Sequence, residues 1–288
     1  MNVGDYVVRK SYGRDITFKI IDIKNVNNEK VYILKGINIR IIADAKKEDL
    51  EEVDEKFSGE KDKIFNSRVN AAIKRVMVAR GVDTNRGNKS QKIVTENEMT
   101  FGRPGKILHV DGDPNYLEVC LKVYKQLNLN AVGKSIPERE QPSEIVDLVK
   151  EHKPDIVVLT GHDGVLKRSN NYLDLNNYRN SKYFIEAVSN LRDYNSSYDE
   201  LIIFAGACQS CYENILDAGA NFASSPNRVL IHCLDPVFVC EKVAYATISE
   251  VVSINEVIEN TITGIKGIGG LQTRGKYREG YPKSQYQS

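Results

Sequence analysis

From residue 106 onward the chain alternates short, nearly unbroken apolar runs with amphipathic stretches, and few architectures accommodate that rhythm. Lys106-Ile-Leu-His-Val-Asp, Asn130-Ala-Val-Gly-Lys, Asp155-Ile-Val-Val-Leu-Thr, Leu201-Ile-Ile-Phe-Ala-Gly and Arg228-Val-Leu-Ile-His-Cys-Leu read as strands. Helical spacing fills the intervals at residues 115–127, 143–152 and 182–191, with a short helix ending near Ala218-Gly219. Strands apolar on both faces and separated by helices specify a parallel sheet covered on both sides, hence an α/β fold. Ligands of such sheets gather at the carboxyl ends of the strands.

The N-terminal part obeys a different pattern. Asp5-Tyr-Val-Val-Arg-Lys, Ile16-Thr-Phe-Lys-Ile-Ile-Asp-Ile, Val31-Tyr-Ile-Leu-Lys-Gly and Ile37-Asn-Ile-Arg-Ile-Ile are β-branched and aromatic runs divided by turn residues. They predict a small SH3-like or Tudor-like β-barrel over residues 1–50. Residues 51–103 are expected to form a charged helical linker, with helical apolar spacing at 64–80 and a polar, disordered stretch at 81–95. The α/β domain then spans 104–270, and 271–288 reads as a basic, flexible tail.

Composition excludes several classes of function. Forty Lys and Arg against 39 Asp and Glu leave a net charge of +1, no field to hold nucleic acid or membrane. No apolar run nears the ~18 residues of a membrane span, and Met1-Asn-Val-Gly-Asp-Tyr lacks the features of a signal peptide. Five cysteines in 288 residues argue against a disulfide scaffold and fit free thiols in a reducing compartment.

Two strand ends carry chemistry. His162 follows the run ending at Thr160, with Gly161 and Gly164 close by, and Cys208 follows the run ending at Ala205, 46 positions after His162. That separation holds one crossover helix, so neighbouring parallel strands would bring imidazole and thiol to one sheet edge. A thiol beside an imidazole yields thiolate, its nucleophilic form. His109 and His232 lie inside apolar runs and read as core, and His152 ends a helix.

An apolar strand ending in His and Gly, then one ending in Ala-Cys, resembles the signature of the caspase–legumain–clostripain–gingipain clan of cysteine peptidases. Gly206-Ala207-Cys208-Gln209 is similar to the caspase Gln-Ala-Cys motif, whose His lies ~50 residues upstream. The clan's His-Gly pair is here His162-Asp163-Gly164, one residue wider. Over nearly the whole chain the sequence looks like the YabG family of sporulation-specific peptidases. Val3-Gly-Asp-Tyr-Val-Val-Arg-Lys-Ser-Tyr, Lys106-Ile-Leu-His-Val-Asp-Gly-Asp-Pro, Thr160-Gly-His-Asp-Gly, Ala205-Gly-Ala-Cys-Gln-Ser and His232-Cys-Leu-Asp-Pro carry that resemblance.

The resemblance implies a caspase-like parallel sheet flanked by helices, preceded by the barrel. It implies Cys208 as nucleophile, His162 as its partner, and an oxyanion held by the amides of Cys208 and of Asp163 or Gly164. Gln209 and Asp235 are implied at the substrate pocket, with Asp235 or Asp163 favouring a basic side chain, Arg foremost, before the cleaved bond. No metal or organic cofactor is implied. The implied substrates are spore coat and germination proteins, met in the cytoplasm of the sporulating mother cell and at the coat, with self-cleavage near Arg80 or Arg86.

The same residues admit other readings. Cys208-Gln-Ser-Cys211 is a C-x-x-C, which with Cys233 and Cys240 could be counted as a zinc site. The six residues between the second pair are wider than usual zinc spacing, and Cys120, Cys211 and Cys233 read as packing. A redox role would need both Cys208 and Cys211. Asp111-Gly112-Asp113 resembles the acidic corner of a receiver domain, yet the third strand ends in Leu159-Thr160-Gly161-His162 without a phosphate-accepting Asp. A non-catalytic scaffold of barrel and pseudo-receiver is the alternative. In the peptidase reading Asp111 and Asp113 cap the helix starting at Pro114.

Overall fold

The computed structural model describes residues 1–80, 100–166, 171–284 and 286. The early β-branched runs form β1 (Tyr6–Arg9), β2 (Thr17–Val26), β3 (Glu29–Gly36), β4 (Ile42–Lys46) and β5 (Leu50–Glu52). They make one antiparallel sheet in the order β4-β3-β2-β1-β5. Asn27 and Asn28 turn β2 into β3 with φ of 51° and 64°, left-handed values that asparagine tolerates. A single 3₁₀ turn at Lys47–Asp49 carries the chain from β4 across to β1, and no β4–β5 pairing closes the sheet among the described residues. The five strands thus form one antiparallel sheet, and closure into the SH3-like barrel is not shown among the described residues.

The charged stretch that follows is more than a solvated linker. Helix α1 (Glu60–Ala79) begins inside it, with the buried Asp62 accepting from Thr17 N–H at 2.7 Å and Asn38 Nδ2 at 3.1 Å. The disordered stretch expected at 81–95, and Arg86 with it, lies outside the described residues.

The rest of the chain forms β6 (Phe101–Arg103), β7 (Ile107–Asp111), α2 (Pro114–Gln126), β8 (Ala131–Ser135), α3 (Gln141–His152), β9 (Ile156–Thr160) and α4 (Ser181–Tyr194). It continues with β10 (Ile202–Ala205), α5 (Tyr212–Asp217), β11 (Phe222–Ser224), α6 (Asp235–Tyr245) and β12 (Val251–Val252). Helix α7 (Ile254–Asn260), β13 (Ile268–Gly270), β14 (Thr273–Arg274) and β15 (Arg278–Gly280) complete it. The central sheet has the order β13-β11-β10-β9-β7-β8, all parallel except β13. Alternate side chains face opposite layers: Ile107, Ile156, Val158 and Phe204 pack with α2, α6 and the N-terminal sheet, while Leu108, Val157, Leu159 and Ile203 pack with α3 and α4.

Two expectations are corrected. The apolar run 228–234 is a loop, and the strand beside β10 is the three-residue β11, too short to show as a run. Residues 271–280 are no loose tail, since β14 pairs with β12, β15 pairs with β6, and the buried Lys276 ammonium donates to the carbonyls of Asp199 and Glu200.

The strand order reverses between β7 and β9, the switch point where α/β sheets bind ligands. The N-terminal sheet docks there. Arg40 Nη2 meets Asp111 Oδ2 at 2.7 Å with both side chains fully buried, and the Tyr116 hydroxyl lies 2.5 and 2.7 Å from the carbonyls of Gly36 and Ile39. Residues 228–234 serve the same junction: Ile39 bridges His232, and Cys233 N–H donates to Asn38 O at 3.0 Å.

Two stability measurements follow from this junction. Arg40→Met leaves Asp111 buried without its counter-charge and should lose about 3–5 kcal/mol in urea unfolding, much of it recovered in Arg40→Met/Asp111→Asn. Burial, helped by the Arg40 charge, lowers the His232 pKa to about 3. Its stabilisation is therefore complete above the ordinary histidine range and is lost as pH falls from there through about 3. His232→Asn, which keeps an acceptor for Leu234 N–H, should be less acid-sensitive than wild type by about 1.4 kcal/mol at pH ~5.5.

Candidate active site

Cys208 leaves β10 in a turn that demands glycine at one point. Gly206 has φ of 109°, and a Cβ there would lie 2.5 Å from Ser224 Oγ. Ala207 N–H donates to Ser210 Oγ at 2.8 Å, Ser224 Oγ donates to Ala207 O at 2.7 Å, and Gln209 N–H donates to Ser225 Oγ at 3.0 Å. The Cys208 side chain is buried in this turn, and its Sγ accepts from Ile231 N–H at 3.2 Å. Burial pushes the thiol up to about 12, against the pull of the Ile231 amide and the Arg40 charge.

His162 is fixed at its main-chain N–H and at Nε2. Its N–H donates to Glu138 Oε1 at 2.6 Å. The Glu138 carboxylate reaches that point only because a Cβ is missing at Gly112 and Gly161, where one would lie 2.4 and 2.2 Å from Oε1. His162 Nε2 is 2.8 Å from Asp113 Oδ2, and Lys35 Nζ of β3 is 2.5 Å from Asp113 Oδ1. Asp113 also caps α2, accepting from Asn115 N–H at 3.0 Å and Tyr116 N–H at 3.4 Å. Burial works to raise the Asp113 pKa, but the bonds from His162 and Lys35 prevail and hold it at about 2. An ionised carboxylate only accepts, so Nε2 carries the proton and the lone pair lies on Nδ1. Nδ1 is buried with no hydrogen-bond partner among the described residues.

Asp163 ties the two loops together. Its Oδ2 accepts from Ser181 Oγ at 2.5 Å and Ser210 Oγ at 2.9 Å, and its Oδ1 accepts from the amides of Gly164 and Asn180, each at 2.8 Å. Burial raises its pKa, with those bonds opposing.

His162, Asp163, Gly164, Cys208 and Gln209 line one cavity of about 310 Å³, with Arg40 from the N-terminal sheet in its wall. The Gly164 amide is engaged by Asp163, whereas those of Cys208 and Asp163 have no acceptor among the described residues. Asp235 stands apart from this cavity. It opens α6, fully buried, and accepts from the amides of Ile262, Thr263 and His232 at 2.7, 3.0 and 3.0 Å and from the Thr263 hydroxyl. It is a structural anchor for the loop after α7.

Sequence reasoning misses Lys35, Arg40 and Glu138, which sit in segments with no motif. It assigns Asp113 to the helix cap first, with the positioning of a loop near the site as a lesser reading. Cys211 is buried at the start of α5, and all five cysteines are free and buried. Among the described residues no group of three His, Cys, Asp or Glu is placed to hold a metal ion, and no helix is long and apolar enough to cross a membrane.

The class defined by this fold and site is an α/β enzyme whose polar side chains gather at the switch point of a largely parallel sheet. The family model described as YabG peptidase U57 matches residues 2–282. The chain is also 40% identical over 284 residues, 97% of each chain, to "Sporulation-specific protease YabG" of Bacillus subtilis (strain 168). It belongs to the YabG peptidase family. No solved structure matches it.

The role of Asp163 as a tie is measurable. Asp163→Ala strands four donors in a buried loop and should reduce stability by about 2–4 kcal/mol in urea unfolding.

Proposed function

We propose that this chain is a cysteine endopeptidase working through Cys208 and His162. The observation that carries the reading is that the two residues follow adjacent parallel strands, β10 and β9, and line the same cavity. Cys208 gives its proton to the imidazole and attacks the substrate carbonyl, and the tetrahedral oxyanion is held by the main-chain N–H groups of Cys208 and Asp163. The C–N bond breaks, the imidazolium protonates the departing amine, and a thioester remains. Water deprotonated by the imidazole then hydrolyses the thioester and returns the thiol.

Substrates are proposed to be spore coat and germination proteins, as the family resemblance implies, met in the mother-cell cytoplasm and at the coat. Cleavage after Arg is part of the proposal. Asp163 is the carboxylate lining the cavity and the remaining candidate to attract a basic side chain, and Gln209 is proposed as a wall residue. Self-cleavage is proposed near Arg80, at the end of α1, or Arg86.

The test is incubation of a purified coat protein with wild type, Cys208→Ala, His162→Ala and Cys211→Ala, with fragments read by mass spectrometry. Wild type and Cys211→Ala should cut, and the other two should fall by at least about a thousandfold. Cleavage by Cys208→Ala would remove the thiol mechanism. Intact substrate in every arm, with the protein folded, would favour the scaffold. The new termini report whether Arg precedes the cut.

A further inference from the structure

We infer that Asp113 is the positioning residue of His162, and that Lys35 on β3 sets the charge it presents, so the N-terminal sheet is part of the catalytic apparatus. The inference rests on the proposed dyad and goes beyond it. Asp113 Oδ2 accepts the hydrogen bond from Nε2–H at 2.8 Å, which fixes the tautomer and leaves the unpartnered Nδ1 as the base. The carboxylate is itself immobilised from three directions. Lys35 Nζ lies 2.5 Å from Oδ1, the first turn of α2 donates to the same oxygen, and Asp113 N–H is held by Asp111 Oδ1 at 2.8 Å. Asp111 is in turn pinned by Arg40. Two cations of the N-terminal sheet region thus reach two successive carboxylates at the end of β7, one step from the imidazole.

The charged and titratable groups around the pair, among the described residues, come from several elements. Lys35 comes from β3, Arg40 from the segment before β4, Asp111 from β7, Tyr116 from α2, and Glu138 from the loop before α3. Among the described residues, Asp163, Arg179 and Cys208 line the cavity side. Asp113 favours an imidazolium and Lys35 opposes it, so their removal has opposite signs. The imidazolium must persist for the thiolate pair to act and for the leaving amine to be protonated, and its loss sets the alkaline limb of the activity profile.

Full-length wild type, Asp113→Asn, Lys35→Met and Cys208→Ala are compared by initial rates on labelled casein below saturation across pH. Asn is as good a helix cap as Asp, so Asp113→Asn keeps α2 capped, and thermal melting verifies the fold of each variant. Asp113→Asn should be slower by about tenfold or more, with its alkaline limb moved down by about one pH unit. Lys35→Met should move that limb up. A purely structural role lowers rates at every pH and moves neither limb. An unchanged limb in Asp113→Asn overturns the assignment, and one in Lys35→Met overturns the lysine's share. Casein cut by Cys208→Ala overturns the dyad and this inference with it. Histidine-labelled NMR reads the same point without activity: His162 should be the Nε2–H tautomer in wild type, and the same tautomer bias retained in Asp113→Asn would overturn the inference.

Discussion

The ion pair between Arg40 and Asp111 governs how the two sheets meet. Both side chains are fully buried, so each charge would be prohibitive without the other. Burial alone would raise the Asp111 pKa, and the Arg40 charge instead holds it well below the usual carboxylate range. Thr160 Oγ1 and Asp113 N–H donate to the remaining lone pairs at 2.8 Å each, linking β7, β9 and the start of α2 in one network. A pair of this kind adds little net stability over apolar packing, but leaving either partner unpaired is costly, which favours the docking that joins them. The N-terminal sheet is thereby held in the register that brings Lys35 to Asp113 and places Arg40 in the cavity wall.

That register explains what could and could not be read from the chain. The strands β7, β9 and β10 were legible because both their faces are covered, which writes a continuous apolar run into the sequence. His162 and Cys208 were legible because each directly follows such a run. β11 was not, because three residues leave no periodicity, and 228–234 misled because a loop buried between two sheets needs the same apolar composition as a strand. Lys35 and Arg40 were illegible for a more basic reason. Their partners lie 78 and 71 positions away, and nothing local marks a cation whose carboxylate is supplied by another sheet. Barrel closure is a similar point, since β-propensity reports strands but carries no information about how the sheet curves or whether its outer strands meet.

The thiol environment has two opposed parts. Burial raises the Cys208 pKa, while the Ile231 amide and the Arg40 charge lower it. The amide and the guanidinium are fixed by the fold, and the dehydration penalises the charged thiolate. A buried thiol in these surroundings is inert toward solutes that do not enter the cavity. It becomes a nucleophile only where a base takes its proton directly. That places the requirement for precision on the imidazole, and the glycines at 112 and 161 that admit Glu138 serve the same end by fixing its backbone.

The extra residue between His162 and Gly164 can be understood in these terms. An amide in the position right after the histidine is the one a substrate oxyanion would find beside the imidazole. Here that amide belongs to Asp163, and it has no acceptor among the described residues. The Gly164 amide, displaced by one position, is turned inward to the Asp163 carboxylate, which binds the hydroxyls of Ser181 and Ser210 as well. Ser210 accepts from Ala207 N–H and Ser181 Oγ accepts from Cys211 N–H, so the inserted aspartate braces the turn on both sides of Cys208. On the proposed reading, the insertion therefore leaves the oxyanion donor in place and adds a direct brace between the histidine loop and the cysteine turn. The Asp163 carboxylate is the centre of that brace: burial raises its pKa, and the four donors around it oppose that shift and hold the two loops together.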